Sequence, residues 1–201
     1  ISSIKITELD EAIRCFSNTF FSGGADGADR HFTLYALEKG FNVINFSFRG
    51  HNHSVDEDTI LEIPSHILCD STVLKQLNMA CYSLQRKVPK PGSYVFNLLA
   101  RNRYQLLNTE RVYCIAKIES PTRVSGGTAW AVQMYMDSVD NPEIYCYDMN
   151  SKSVYTFDNT NKEFVEVFTI PAPHGNWTGI GSRNATVKHF EHFKTFFKED
   201  K

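Results

Sequence analysis

The chain has 201 residues, 42% hydrophobic and 22% charged, with a formal net charge of -2. That length is enough for one sizeable core and does not force a second domain. The charge leaves no basic footprint for nucleic acid, and no apolar run approaches the roughly 18 residues of a membrane span. The opening residues Ile-Ser-Ser-Ile-Lys lack a secretory leader's apolar stretch, so the expectation is a soluble cytoplasmic protein. Five cysteines (Cys15, Cys69, Cys81, Cys114, Cys146), odd in number and widely spaced, read as reduced core thiols. His51, His53, His66 and Cys69 show no metal-ligand spacing; solvated loop histidines are the simpler account, and neither metal nor cofactor is predicted.

Thr7 to Asp10 reads as a capping box opening a helix that ends near Asn18, with Leu9, Ile13 and Phe16 on one face. Residues 18–21 form a short buried strand. It runs into Ser22-Gly23-Gly24, after which 28–38 is helical and Gly40 stops the helix. Residues 41–46 give the next strand and 50–58 a polar loop. Ser71 caps a helix carrying Val73, Leu77, Ala80, Cys81 and Leu84, and Lys87 to Gly92 breaks the chain before a helix over 94–107.

The unit then recurs as strand 111–118, a second glycine loop 121–127, helix 128–137 and strand 143–147. Residues 153–157 and 164–168 flank Asp158-Asn159-Thr160-Asn161, which predicts a β-hairpin, within an insertion at 150–170, decorating an edge. Finally Trp177 to Arg183 supplies a strand and a third glycine loop, followed by a helix with Val187, Phe190, Phe193 and Phe197 on its buried face. Strands alternating with helices imply right-handed crossovers and a parallel sheet covered on both faces. The expected architecture is one α/β domain, a Rossmann-like three-layer sandwich with a mostly parallel central sheet plus a hairpin. Ligands of such sheets sit outside the carboxyl ends of the strands, where glycine admits backbone close to a phosphate and the next helix offers unpaired N–H groups. Three glycine loops in that context point to one converged site.

Ser22-Gly23-Gly24-Ala25-Asp26-Gly27-Ala28-Asp29 resembles the first signature of the SLOG superfamily, the Rossmann-like group that includes the Lonely Guy cytokinin-activating phosphoribohydrolases. Ala100-Arg101-Asn102-Arg103 and Ser125-Gly126-Gly127-Thr128 are similar to its arginine-bearing helix motif and second glycine motif, in the expected order. The resemblance implies a nucleotide pocket with Gly126, Gly127 and Thr128 at the phosphate and Arg101 near sugar or phosphate. Homo-oligomers are common in that group. Its members usually begin with a strand ending in a Gly-Ser-Arg-like loop, whereas here Gly179-Ile180-Gly181-Ser182-Arg183 lies near the carboxyl end. That difference predicts a circular permutation in which 176–201 supply the first strand and helix, with Ile1 near Lys201. The alternative is a peripheral carboxyl-terminal strand and helix.

The hydrolases carry a glutamate after the second glycine motif. Here the stretch reads Thr128-Ala129-Trp130-Ala131-Val132-Gln133-Met134, so that acid-base group is missing and enzymatic activity is left open. Asp26 or Asp29 can substitute; each can equally cap its helix or hold ribose hydroxyls. Arg101 and Arg103, two apart, point about 200° apart on a helix, so one of them is expected at solvent or a subunit contact. Arg183 is placed to hold two phosphate oxygens, or else makes a surface ion pair. Trp130 either stacks on a base or packs beneath its loop. The candidate ligand set is therefore Gly23, Gly24, Asp26, Gly27, Arg101, Ser125, Gly126, Gly127, Thr128, Gly181, Ser182 and Arg183. The functions in play are a sensor or sequestering module for a nucleotide-derived signal such as an ADP-ribose derivative, an N-glycosidase acting on nucleotides, and an interaction protein.

Overall fold

The computed structural model describes residues 3–199. In chain order its elements are α1 (Ile6–Arg14), β1 (Thr19–Ser22), α2 (Ala28–Glu38), β2 (Asn42–Ser47), a 3-10 turn (Glu57–Thr59), β3 (Ile60–Glu62), α3 (Ser65–Leu68), α4 (Ser71–Ser83), α5 (Tyr94–Ala100) and α6 (Asn102–Leu106). Then follow β4 (Arg111–Ala116), β5 (Ile118–Ser120), β6 (Arg123–Val124), α7 (Thr128–Ser138), β7 (Ile144–Asp148), β8 (Val154–Asp158), β9 (Glu163–Val167), β10 (Ile170–Pro171), β11 (Trp177–Gly181), α8 (Val187–Lys194) and β12 (Phe197–Lys198).

An eight-stranded sheet runs β3-β2-β1-β11-β4-β7-β8-β9. It is parallel from β3 through β7, and the β8–β9 hairpin closes that edge in antiparallel pairing. The carboxyl-terminal strand β11 therefore lies inside the sheet, with Phe20 opposite Trp177 on one side and Val112 opposite Thr178 on the other. Counted from β11 as first, with β1, β2, β4 and β7 next, the order across the sheet is 3-2-1-4-5. That is the doubly wound order, and it places the switch point between β11 and β4. Ile1 and Lys201 lie outside the described residues.

Apolar runs at both parities cover both faces, as strands buried on two sides require. Phe20, Tyr113, Ile115, Tyr147 and Trp177 pack on one face against Phe32 and Tyr35 of α2 and Phe190 and Phe193 of α8. Phe21 and Phe46 meet Leu9, Ile13, Val73, Leu77, Phe96 and Tyr104 on the other. Val112, Cys114, Cys146 and Ile180 extend that second face under Val132 and Tyr135 of α7. Trp177, fully buried, packs with its ring tilted 50° to that of Phe20 at 4.4 Å between centroids, and Gly179 keeps β11 bare where a Cβ would overlap Phe32.

Several local readings need correction. Glu8 in the first turn, not Thr7, caps the start of the first helix by accepting the Lys5 N–H at 2.8 Å, and the helix ends at Arg14, short of Asn18 with its φ of 48°. Asp70 rather than Ser71 caps α4, its carboxylate accepting the Thr72 N–H. Strand β3 lies beyond the polar loop, and Phe197 belongs to β12. Cys15 is exposed, whereas Cys81, Cys114 and Cys146 are buried free thiols. No described helix is long and apolar enough to cross a membrane.

Candidate functional site

Where β1, β11 and β4 end, a cavity of about 270 Å³ opens at the switch point. Its walls come from the loop after β11, the α5–α6 junction, the start of α2 and the loop leading into α7. The first and third glycine loops touch because their strands are neighbours. Ser182 N donates to Ile115 O at 2.8 Å, and the Ser182 carbonyl accepts Ala28 N–H at 3.1 Å, fixing the first turn of α2 against the third loop. Gly27, at φ 81°, is pressed so closely on this turn that a Cβ would fall 2.5 Å from the Ser182 and Arg183 carbonyl oxygens.

Asp29, in the first turn of α2, is buried and lines the cavity. Its carboxylate faces the backbone N–H groups of Ala25, Gly23 and Gly181 together with the Arg101 guanidinium. Burial nevertheless wins and pushes its pKa up to about 6. Asp26 is exposed and lies outside the cavity.

Arg101 enters from the α5–α6 junction. A tight turn there, Tyr104 N–H to Arg101 O at 3.0 Å, ends α5 and interrupts the predicted continuous helix. Arg101 Nη1 donates to Gly23 O and to Phe46 O and stands 3.1 Å from His51 Nε2. Gly23 is what makes room, since a Cβ there would overlap the guanidinium. Burial lowers the Arg101 pKa to about 10, and burial with the adjacent guanidinium drives His51 down to about 3, so that ring is neutral. His51, bonded to Ser47 Oγ at 3.0 Å, is thus a buried acceptor and not a solvated loop histidine. Arg101 Nε and Gln105 Oε1 are buried without partners, and both residues line the cavity.

Arg103 is also buried. It faces away from the cavity, as its spacing from Arg101 requires, but that side is packed: its guanidinium grips both Asp10 oxygens of α1 and Gln76 Oε1 of α4, which corrects the expectation of solvent or a neighbouring subunit. The second loop hangs from Ser125 N–H on Lys117 O and from Arg86 on the Gly126 carbonyl. Arg86 also covers Trp130 at 4.4 Å, and the indole donates to Cys81 Sγ, so Trp130 packs behind the loop and does not line the cavity. Gly126 has φ 68°, Gly127 has an ordinary φ of -66°, and a Cβ on either meets nothing within 4 Å. Thr128 then starts α7, whose first N–H groups have no helical acceptor.

Of the sequence candidates, Asp29, Arg101, Ser125, Gly126, Gly127, Thr128, Gly181, Ser182 and Arg183 come together on the cavity. Gly23, Gly24, Asp26 and Gly27 do not. Gly24, at φ 65°, faces Val55 instead and takes the Ser54 N–H on its carbonyl. Asn102 and Gln105 join the wall unforeseen, although Gln105, one turn beyond Arg101, carries a helical-spacing signal. His66 bonds Ile4 O, and among the described residues no three His, Cys, Asp or Glu side chains gather as a metal site. Comparison with models of known families, with curated proteins and with solved structures finds no match to this chain.

Proposed function

We propose that this chain binds a phosphate-bearing nucleotide or nucleotide-derived signal, an ADP-ribose derivative being the example, as a sensor or sequestering module. The observation that carries the reading is convergence: two glycine-bearing loops, the start of α7 and the Arg101 wall meet on one cavity at the switch point of a parallel sheet. A phosphate fits the open backbone at Gly126, Gly127 and Thr128, where unpaired N–H groups and the helix dipole favour negative charge. Arg183, exposed beside it, supplies a two-pronged donor. Asn102, Gln105 and Arg101 offer the inner wall donors and acceptors for sugar hydroxyls or a base. The resemblance of the three motifs to the SLOG superfamily supports the same ligand class.

The test is thermal. A ligand at a hundred times its Kd stabilises the folded state by about 2.7 kcal/mol, or roughly 5–10 °C at this chain length. ADP-ribose and nucleoside monophosphates are expected to raise the melting temperature and free bases to do little. No shift across a millimolar nucleotide panel, on protein shown to be ligand-free, removes the reading.

One observation favours a second reading, an N-glycosidase. Asp29 is the carboxylate on the cavity wall, and a pKa of about 6 suits a group that gives and takes protons near neutrality. Chromatography of overnight reactions with nucleoside 5′-monophosphates separates the two. Steady base release that vanishes in Asp29→Asn promotes the enzyme; absence of release leaves the binding module.

A further inference from the structure

The cavity proposed to take an anion contains one acidic side chain among its described lining residues, and that side chain is buried and held by backbone N–H groups. Asp29 is anchored in the first turn of α2 and ringed by the N–H groups of Ala25, Gly23 and Gly181. Arg101, facing it, is committed to the Gly23 and Phe46 carbonyls and cannot swing fully onto a ligand.

The charged and titratable groups around the pair are few. The α5–α6 junction contributes Arg101 itself, the loop after β11 contributes Arg183, and the loop after β2 contributes His51, which is neutral and rests on Arg101. Tyr94, at the start of α5, bears on Arg101. The cavity-lining residues of α5 and α7, Leu98, Leu99, Thr128 and Ala131, bring no ionisable side chain. An entering phosphate therefore meets a fixed negative charge in a buried setting, where like charges close together are not both retained.

Resting on the binding reading above, we infer that the site takes up its phosphate-bearing ligand together with one proton, which resides on the Asp29 carboxylate and turns it from an acceptor into a hydrogen-bond donor to a ligand oxygen. The proton comes from solvent, and no bond of the ligand forms or breaks. This makes Asp29 a determinant of specificity, because the protonated acid favours an oxygen-rich acceptor and the ionised one repels it. It also makes affinity depend on pH in one direction. Burial already holds the ligand-free carboxyl near the neutral range, a neighbouring anion raises it further, and between those two values each unit of rising pH weakens binding by up to about tenfold.

The experiment is calorimetry with ADP-ribose, a probe whose pyrophosphate stays fully ionised throughout, at about pH 5.5 and about pH 7.5 and in buffers of different ionisation enthalpy. Expected are an affinity roughly ten- to thirtyfold weaker at the higher pH and an uptake approaching one proton per ligand there. Asp29→Asn, which keeps one acceptor and adds a donor, is expected to bind at both pH values about as tightly as the wild type does at the lower. Equal wild-type affinities with no proton uptake overturn the coupling and leave the binding reading standing. Absence of binding at both pH values overturns the two together. Should Asp29→Asn not fold, the wild-type proton count decides alone.

Discussion

Gly181 and Gly127 both line the cavity, yet a Cβ at Gly181 would overlap the Ile115 carbonyl oxygen and fall 2.8 Å from Ala28 Cβ, whereas a Cβ at Gly127 would meet nothing within 4 Å. The third loop is glycine for the chain's own sake. It lets β11 lie between β1 and β4 with α2 pressed against it. The second loop is different at Gly127, whose φ of -66° any residue adopts and whose surroundings are open. Gly40, Gly50 and Gly92 on the surface have the same open space, so it is the place of Gly127 on the cavity wall, and not the space alone, that sets it apart. Gly23 and Gly27 side with Gly181, because each gives room to a protein group, the Arg101 guanidinium or the Ser182–Arg183 carbonyls. A glycine motif thus mixes two purposes, and only the missing Cβ's neighbours separate them.

The largest test of the chain-serving half is truncation after Gly175, which removes β11 and α8. Both β1 and β4 would lose a parallel neighbour, and the aromatic cluster around Trp177 would open to water. Unpairing two buried strand edges costs more than the 5–15 kcal/mol by which domains are stable, so the truncated chain is expected to be unfolded or insoluble by circular dichroism and gel filtration. A folded, ligand-binding truncation would make the third loop dispensable and collapse the contrast.

That β11 is central was legible only through the resemblance, because Gly179-Ile180-Gly181-Ser182-Arg183 is similar to a loop that such chains carry near their start; the recurrence of strand, loop and helix by itself left a peripheral strand equally open. The hairpin was legible from its turn residues. What escaped had either too few residues or too distant a partner. Strand β3 has three residues, too short for a period to register. Arg103 escaped because a helical wheel shows that it faces away from Arg101 but not what lies there: Asp10, 93 residues away, and Gln76 hold the guanidinium inside. His51 read as solvated for the same reason: its neighbours Ser47 and Arg101 are set by tertiary structure.

Arg101→Ala tests the wall that joins the two loops. It strips the buried Gly23 and Phe46 carbonyls of a donor and removes the nearby cation that lowers the Asp29 pKa, a loss of about 1–3 kcal/mol for buried groups left unsatisfied. The cost has a sign with pH. Asp29 already has a folded pKa above its unfolded one, so its buried charge opposes folding as pH rises through that value, and removing Arg101 deepens the penalty. Urea denaturation is therefore expected to show the variant losing more stability at about pH 8 than at about pH 5. A loss that is equal at both would remove the pH coupling to Asp29, and one below about 1 kcal/mol would place Arg101 as a ligand contact with no part in holding the fold.

The smallest expected change in stability is the most informative, because it compares one substitution at two glycines. Gly181→Ala forces a methyl group against Ile115 O and Ala28 and is expected to cost about 1–3 kcal/mol, as overpacking does. Gly127→Ala adds the same methyl into open space at the residue before α7 and is expected to stay within about 1 kcal/mol of wild type, the price of a poorer cap residue. Affinity for ADP-ribose should then run the other way: if the proposed phosphate sits at the second loop, the Gly127 methyl would stand where backbone N–H groups approach it, and a loss of at least about tenfold is expected there with the fold intact. Measuring both variants by urea denaturation and by calorimetry gives four numbers. If Gly127→Ala binds as tightly as wild type, the open space beside it serves no ligand and the phosphate must be sought at Ser182 and Arg183. If it destabilises as much as Gly181→Ala, the second loop is packed in solution as the third is, and the distinction between the two purposes fails at its source.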